Sequence, residues 1–534
     1  MNGVRILLQV TTTHCKKDTK TSNFFASKVN NDSLFNTRDY KHELPPILLA
    51  FMMSAVLLTN PLFAQPLSLP RAVKLALQRN PKIKQYQEKQ NRKSDAAKAA
   101  SGNFFPVFQL KAGYDHLDAP LQVDLSPVRE AMIQMQAGNL TELTNVYRSL
   151  QGNTPLTPEQ KAQLLQQFRS QLGGKLPPFR AKFKNQNFKT ATIIGIQPLF
   201  LGGKLIAAKK FAGAEKSAAV AELRKTQNDI IQETIDRYLA VVFLKEVVKT
   251  RREVLKGMRR HEQDAHQLYK EGLIARHQLL RAKVAVAEAR RNLALDINRL
   301  ELAKTALNGS MGLPLDAEVE VSDSLFFYSL PDSVHRFIAL ARHFQPVLQL
   351  GKAKQRAADQ KLAAERAEFL PQISAFGKYE LYPQDLSVLE PRWVVGLQLK
   401  LTLFNGFKRY HKMAEAKHLK NEVRYLNVQL QRQVELWVNR AYQQMRSARD
   451  RFRELRADQS LARENLRLNE KRFHTGLGTS LEVIDARLSL QKAQMDRIKA
   501  LFDYNRAIAD LYSAAGMPQN FLEIWRRQEV KYEG

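Results

Sequence analysis

Residues 472–491 read RFHTGLGTSLEVIDARLSLQ, and residues 268–287 read LYKEGLIARHQLLRAKVAVA. The two stretches start 204 positions apart. Each is a helical pattern broken by glycine, Gly272 in the first and Gly476 and Gly478 in the second. Glycine reaches the left-handed backbone region that a tight turn between two helices requires. The pattern therefore predicts one helix–turn–helix, built twice.

Working outward, the same spacing of 204 matches Leu199 and Phe200 with Leu403 and Phe404, Gly202 with Gly406, and Lys204 with Lys408. It also matches Tyr238 with Tyr442, Ala282 with Ala486, and Gly312 and Pro314 with Gly516 and Pro518. Self-similarity at one fixed spacing is the mark of an internal repeat. Further upstream the spacing grows to 265, pairing Pro81 with Pro346, Pro106 with Pro371 and Tyr114 with Tyr379. The first copy thus holds 61 extra residues between Tyr114 and Pro198. That excess contains LSPVREAMIQM and TPLTPEQKAQLLQQF, which read as short helices between Gly, Pro and Asn turns.

No proline falls between Pro198 and Pro314 or between Pro391 and Pro518. Interior proline breaks helices, so both spans can be helical throughout. The second span carries a stripe spaced alternately by three and four: Val438, Ala441, Met445, Ala448, Phe452, Leu455, then Ala462, Leu466 and Phe473. The first keeps the register with Val241, Leu244, Val248, Leu255, Met258, Ala265 and Tyr269. A helix from 204 to 271 is roughly 100 Å long at about 1.5 Å per residue. Such a rod needs neighbours along its length, as in a coiled coil or helical barrel.

Between the helices lie alternating runs. In WVVGLQLKLTLF (393–404), Trp393, Val395, Leu397, Leu399 and Leu401 oppose Val394, Gly396, Gln398, Lys400 and Thr402. PQISAFGKYELY (371–382) and VFQLKAGY (107–114) behave alike, and KTATIIGIQPLF (189–200) less cleanly. These runs match a tilted strand crossing a bilayer, with an apolar outer face and a polar lumen. A soluble sheet packed on one face is the other reading. If the strands enter lipid, four per chain cannot close a wide barrel, and an open edge is forbidden there. Several chains then share one barrel.

Composition narrows the class. The chain has 534 residues and a formal net charge of +31. Basic residues alternate with acidic ones along helical faces, with no basic–aromatic cluster, so nucleic acid is not expected as a partner. The run PPILLAFMMSAVLL, Pro45 to Leu58, followed by TNPLFAQ, has the grammar of a secretory signal cleaved after Ala64. The 44 residues before it lack periodicity and suggest a start assigned too far upstream. The single cysteine, Cys15, lies in that leader, which excludes disulfides and thiol chemistry from the mature chain. GxxxxGK[ST], HExxH and GxSxG patterns are absent, and the eleven histidines show no ligand spacing; His261 and His266 are read as surface residues. No catalytic residue, metal site or cofactor is expected.

LSLPRAVKLALQRNPKIKQY (67–86), AAKAASGNFFPVFQLKAGY (96–114), RFHTGLGTSLEVIDA (472–486) and LYSAAGMP (511–518) together resemble the TolC-like outer membrane efflux family. The resemblance spans about residues 67–519. It implies a mainly α fold with a transmembrane β-barrel, in which a helix–strand–strand–long-helix unit is duplicated. It implies a homotrimer with a twelve-stranded barrel in outer-membrane lipid and an α-helical barrel in the periplasm. A periplasmic adaptor (membrane fusion) protein and an inner-membrane pump of RND or ABC type complete the assembly, in efflux or type I secretion. The competing reading is an envelope coiled-coil scaffold without channel activity.

The resemblance also divides the chain. Residues 1–64 are the N-terminal extension and signal. Residues 65–330 form the first TolC-like repeat, with strands near 104–115 and 189–200, an extracellular loop over 116–188 and a helical tip near 272. Residues 331–534 form the second, with strands near 370–382 and 392–404, a tip near 476 and a C-terminal equatorial segment. The tips implied to dock the adaptor comprise Gly272, Leu273 and Arg276, and Gly476, Leu477 and Gly478. The motif Leu481-Glu482-Val483-Ile484-Asp485 stands where relatives carry an acidic gate, so Glu482 and Asp485 are its implied members. They are three apart and share a helix face. Thr479 and Glu482 equally form a capping box, a structural role compatible with the gate. The first tip departs from the family pattern by carrying Arg276, His277, Gln278 and Arg281; Arg276 or Arg281 is expected to pair with acids on a neighbouring helix or on the adaptor, solvated helix-surface charge being the other reading.

Overall fold

The structure is a computed structural model, and it describes residues 66–532 apart from 179, 331, 332 and 388. The signal segment, the Ala64 cleavage position and Cys15 lie outside the described residues.

The first copy opens with α1 (Leu69–Arg79) and α2 (Pro81–Gly102). Then come β1 (Val107–His116), β2 (Leu121–Asp124), α3 (Ser126–Leu150), α4 (Pro158–Lys175), β3 (Arg180–Lys184) and β4 (Asn187–Leu201). It closes with α5 (Lys204–Lys270) and α6 (Arg276–Met311). The second copy runs α7 (Val334–Phe344), α8 (Pro346–Ala367), β5 (Gln372–Glu380), β6 (Trp393–Lys400), α9 (Lys408–His474) and α10 (Ser480–Ala514). Helix α11 (Gln519–Tyr532) follows. The insertion differs from its expectation. Its helices are 25 and 18 residues long, and a β2–β3 ribbon, invisible as periodicity in four or five residues, forms their stalk.

The long helices α5 and α9 both have 67 residues. Each is entered by two left-handed residues, Gly202 and Gly203 in one copy, Gly406 and Phe407 in the other. The sequence stripe faces inward: Val438, Ala441, Met445, Leu466 and Phe473 are buried, as are Val241, Val248, Leu255, Met258 and Ala265. Tyr269 departs from the stripe at 40% exposed, and Leu268 beside it is buried instead. Helix α9 also exposes Leu436, Trp437 and Leu461, so this rod leaves apolar surface uncovered by its own chain.

Strands β1, β4, β5 and β6 form one antiparallel sheet in that order. The register aligns Leu110, Ile193, Tyr379 and Trp393 across it, and Phe108, Gly195, Gly377 and Val395 one step along. These residues share a face with Leu397 and Leu399. Gln109, Lys111, Thr192, Lys378, Gln398 and Lys400 occupy the other. A Cβ at Gly195 would lie 2.9 Å from the Phe108 ring, so glycine there admits the aromatic flat against the sheet. Both β1 and β6 are edge strands.

Away from the sheet, one core joins both copies. Leu67 bridges Val321 in parallel, and the core takes in Leu69, Ile235, Tyr238, Phe326, Ile508, Phe521 and Trp525. At its centre the Asp323 carboxylate accepts from the Leu69 backbone N–H at 2.9 Å, from the Tyr238 hydroxyl at 2.7 Å and from the Trp525 indole at 2.7 Å.

Candidate functional site: the paired helical tips

Each long helix ends in the same hydrogen-bonded turn. At the first tip the Gly272 N–H donates to the Tyr269 carbonyl and the Leu273 N–H to the Leu268 carbonyl. At the second, Gly476 donates to Phe473 and Leu477 to Arg472. This is the glycine-terminated Schellman arrangement, with both glycines at φ +74°. Leu273 and Leu477 project at the turns, 62% and 76% exposed. Gly478 is closely packed: a Cβ would lie 3.1 Å from Arg472 Cβ and from the Phe473 nitrogen.

The two tips are joined. Ala265, Leu268, Ile274, Leu279 and Ala282 of the first pack with Leu466, Phe473, Val483 and Ala486 of the second in one apolar cluster. Polar ties flank it. Ser480, the first residue of α10, is fully buried. Its N–H donates to Gln278 Oε1 of α6 at 3.1 Å, and its hydroxyl lies 2.7 Å from His261 Nε2 of α5. Asp264 of α5 lies 3.7 Å from His474 of α9. Arg487 of α10 pairs with Glu470 of α9. Its guanidinium occupies the space that a side chain at Gly257 of α5 would fill.

His261 corrects the sequence reading, which placed it on the surface. It is 3% exposed and its ring stands 4.7 Å from Phe473. Burial pushes its pKa down to about 4, with Arg487 and His474 adding to the effect, so it is neutral at pH 7. The missed signal was its place on the stripe, three after Met258 and four before Ala265.

The implied gate residues are where the motif puts them. Glu482 lies in the first turn of α10 and closes a capping box: its Oε2 accepts from the Thr479 N–H at 3.0 Å, while Thr479 Oγ1 accepts from the Glu482 N–H at 3.3 Å. Asp485 is exposed one turn further on. Arg276 opens α6 and is exposed, as are His277 and Arg281. The tie that the first tip makes to its neighbour runs through Gln278 rather than through these basic groups.

Higher up, Asp236 of α5 and Asp510 of α10 share Gln232 and one cation. The Gln232 amide donates to Asp510 at 2.8 Å, and the Arg506 guanidinium donates to Asp236 at 3.2 Å. Burial, reinforced by Asp236, raises the Asp510 pKa to about 6. Among the described residues, no group of three or more His, Asp or Glu is placed to hold a metal ion.

The chain thus duplicates one unit, with a four-stranded open-edged sheet and two helical hairpins joined at their tips. The model of the outer membrane efflux protein family matches residues 183–313 and 338–517, and the chain belongs to that family. It is 27% identical over 250 residues to the antibiotic efflux pump outer membrane protein ArpC of Pseudomonas putida, covering 44% of this chain and 48% of that one. The toluene efflux pump outer membrane protein TtgC of Pseudomonas putida matches to the same extent. The chain thus aligns with about half the length of the curated relatives it matches. In fold it is similar to VceC of Vibrio cholerae, at TM-score 0.63 and 18% identity over 84% of this chain and 96% of that one. It is likewise similar to the CmeC outer membrane channel of Campylobacter jejuni, at TM-score 0.64 and 14% identity over 84% and 85%.

Proposed function

We infer that this protein is an outer-membrane duct, carrying substrates out of the periplasm or directly from an inner-membrane pump. One observation carries the reading: a sheet with an apolar face and two unpaired edges, β1 and β6. In lipid those edges must be paired by other copies, because the bilayer core offers no water to satisfy them. Three copies would give the twelve strands of a closed barrel. The uncovered apolar residues of α9 fit the same closure around a helical tunnel.

The joined tips then form the inner end of the tunnel. They dock a periplasmic adaptor, which couples the duct to a pump of RND or ABC type, and the duct does no catalysis of its own. Three copies of Glu482 and Asp485 would ring a narrow entrance with six carboxylates, a cation-attracting constriction. The basic first tip, with Arg276 and Arg281, favours an adaptor whose contact surface is acidic.

Purification from membranes tests the reading. A detergent-stable trimer that conducts in a planar bilayer and brings an adaptor with it is the expected result. A water-soluble monomer without conductance would overturn it. For the entrance, Glu482→Gln paired with Asp485→Asn is the discriminating variant, since glutamine keeps the capping box. Raised conductance or altered cation block is expected; unchanged conductance removes the gate role.

A further inference from the structure

The excess of the first copy folds into a feature with no counterpart in the second. Helix α3 leans on α4 through Ile133, Ala137 and Thr141, buried residues spaced by four. Arg129 locks the pair, donating to the Gly173 and Leu176 carbonyls at 2.6 and 2.7 Å. Lys161 of α4 reaches Glu142 at 3.0 Å.

The opposite side of α3 carries a second apolar stripe. Val128, Met132, Met135, Leu143, Val146 and Leu150 are between 40% and 81% exposed. Their spacing is four, three, eight, three and four, and Asn139 fills the gap of eight. Such spacing is the seam of a helix that packs on other helices. A helix apolar on two sides buries only one of them against α4, so the stripe needs an occupant.

Two observations choose the occupant. Strand β1 is an open edge of the sheet and ends at His116, with only nine residues between it and the start of α3 at Ser126. If β1 pairs with another copy, α3 emerges at that same seam. Second, helices that lie on a lipid surface are rich in Lys and Arg along their polar face. Helix α3 has only Arg129 and Arg148. Both are spent on backbone carbonyls, Arg148 on that of Thr154 at 3.2 Å.

We propose that the α3 helices of the three copies pack on one another through this stripe, forming a helical collar over the outer mouth of the barrel. The proposal rests on the trimeric channel reading. Residues at the same stripe position then face each other around the three-fold axis. Asn139 sits in the seam, where a polar side chain fixes register and strand number.

Disulfide trapping tests it, in a Cys15→Ser background so that the only thiols are those introduced. Met135→Cys is oxidised with copper–phenanthroline in membranes and run without reductant. A dimer band is expected for Met135→Cys and none for Gln134→Cys, which is exposed on another face of α3. The Met135→Cys band should be lost when Leu143→Asp and Val146→Asp are added, while the trimer persists on native gels. A native trimer without the Met135→Cys band overturns the collar and leaves the channel intact. Equal bands at 134 and 135 also overturn it, as does quenching of a fluorophore at position 135 by brominated lipid. Absence of any trimer overturns the channel reading, and the collar with it.

Discussion

The indole of Trp525 donates to the carboxylate of Asp323, although 202 residues separate them. The same carboxylate holds the start of α1 and the hydroxyl of Tyr238. One side chain thereby fastens the N-terminal helix, the first long rod and the C-terminal helix. Asp323→Ala strands three donors and is expected to cost about 3 kcal/mol, given roughly 1.5–3 kcal/mol for hydrogen bonds to charged groups. Trp525→Phe removes one donor and costs about half as much on the same scale. Thermal loss of helical circular dichroism in detergent measures both, with Asp323→Ala melting first.

Glycines with the same φ sign differ in what surrounds them. Gly476 has φ +74° and open space where a side chain would begin. Gly476→Ala is therefore expected to cost about 1–2 kcal/mol, from backbone strain alone. Gly516 has φ +79°, but a Cβ there would lie 2.7 Å from the Gln345 backbone. Gly516→Ala should be much the worse of the two, cutting the yield of folded protein where Gly476→Ala does not.

His261 makes the tips sensitive to acid. Its folded pKa, about 4, lies below the ordinary 6.5. The unfolded chain binds the extra proton, so this contribution is complete above pH 6.5 and is lost as pH falls toward 4. Hydrogen exchange at Ser480 and its neighbours should quicken across that window in the wild type, and less in His261→Gln.

Asp510 has the opposite sign. Its pKa is raised from 3.8 to about 6, so its contribution is complete below 3.8 and is lost as pH rises through 6. Asp510→Asn is expected to raise the melting temperature at pH 8 and to change little at pH 4. A uniform shift at both pH values would refute the assignment.

Charge reversal at Arg276 and Arg281 tests the acidic-adaptor proposal. Reversing both should weaken adaptor co-purification without dissolving the trimer, because neither residue makes the Gln278–Ser480 tie. Unchanged adaptor recovery would remove the proposal.

Much of this was legible because the chain says it twice. Gly272 and Gly476 marked the turns, and the stripe from Val438 to Phe473 marked the buried side of α9. The strand alternation after Trp393 gave the faces of β6. What escaped depended on contacts between copies of the repeat. His261 aligns with Asn465 in the other repeat, so duplication gave no hint of it, and its partner Ser480 lies 219 residues away. Gly257 stands in a long helix where the Arg487 side chain, 230 positions further on, needs its space. The β2–β3 ribbon is too short for its alternation to stand out from loop composition.

The Asp323 junction also sets a lever. From Tyr238 to Gly272 the rod measures about 50 Å at 1.5 Å per residue. A swing of about 5° at the junction would displace the far end by roughly 4 Å, close to the radius of a small solute, while barely disturbing the fulcrum. Because Ser480 couples one hairpin end to the other, such a swing would carry both together as one arm.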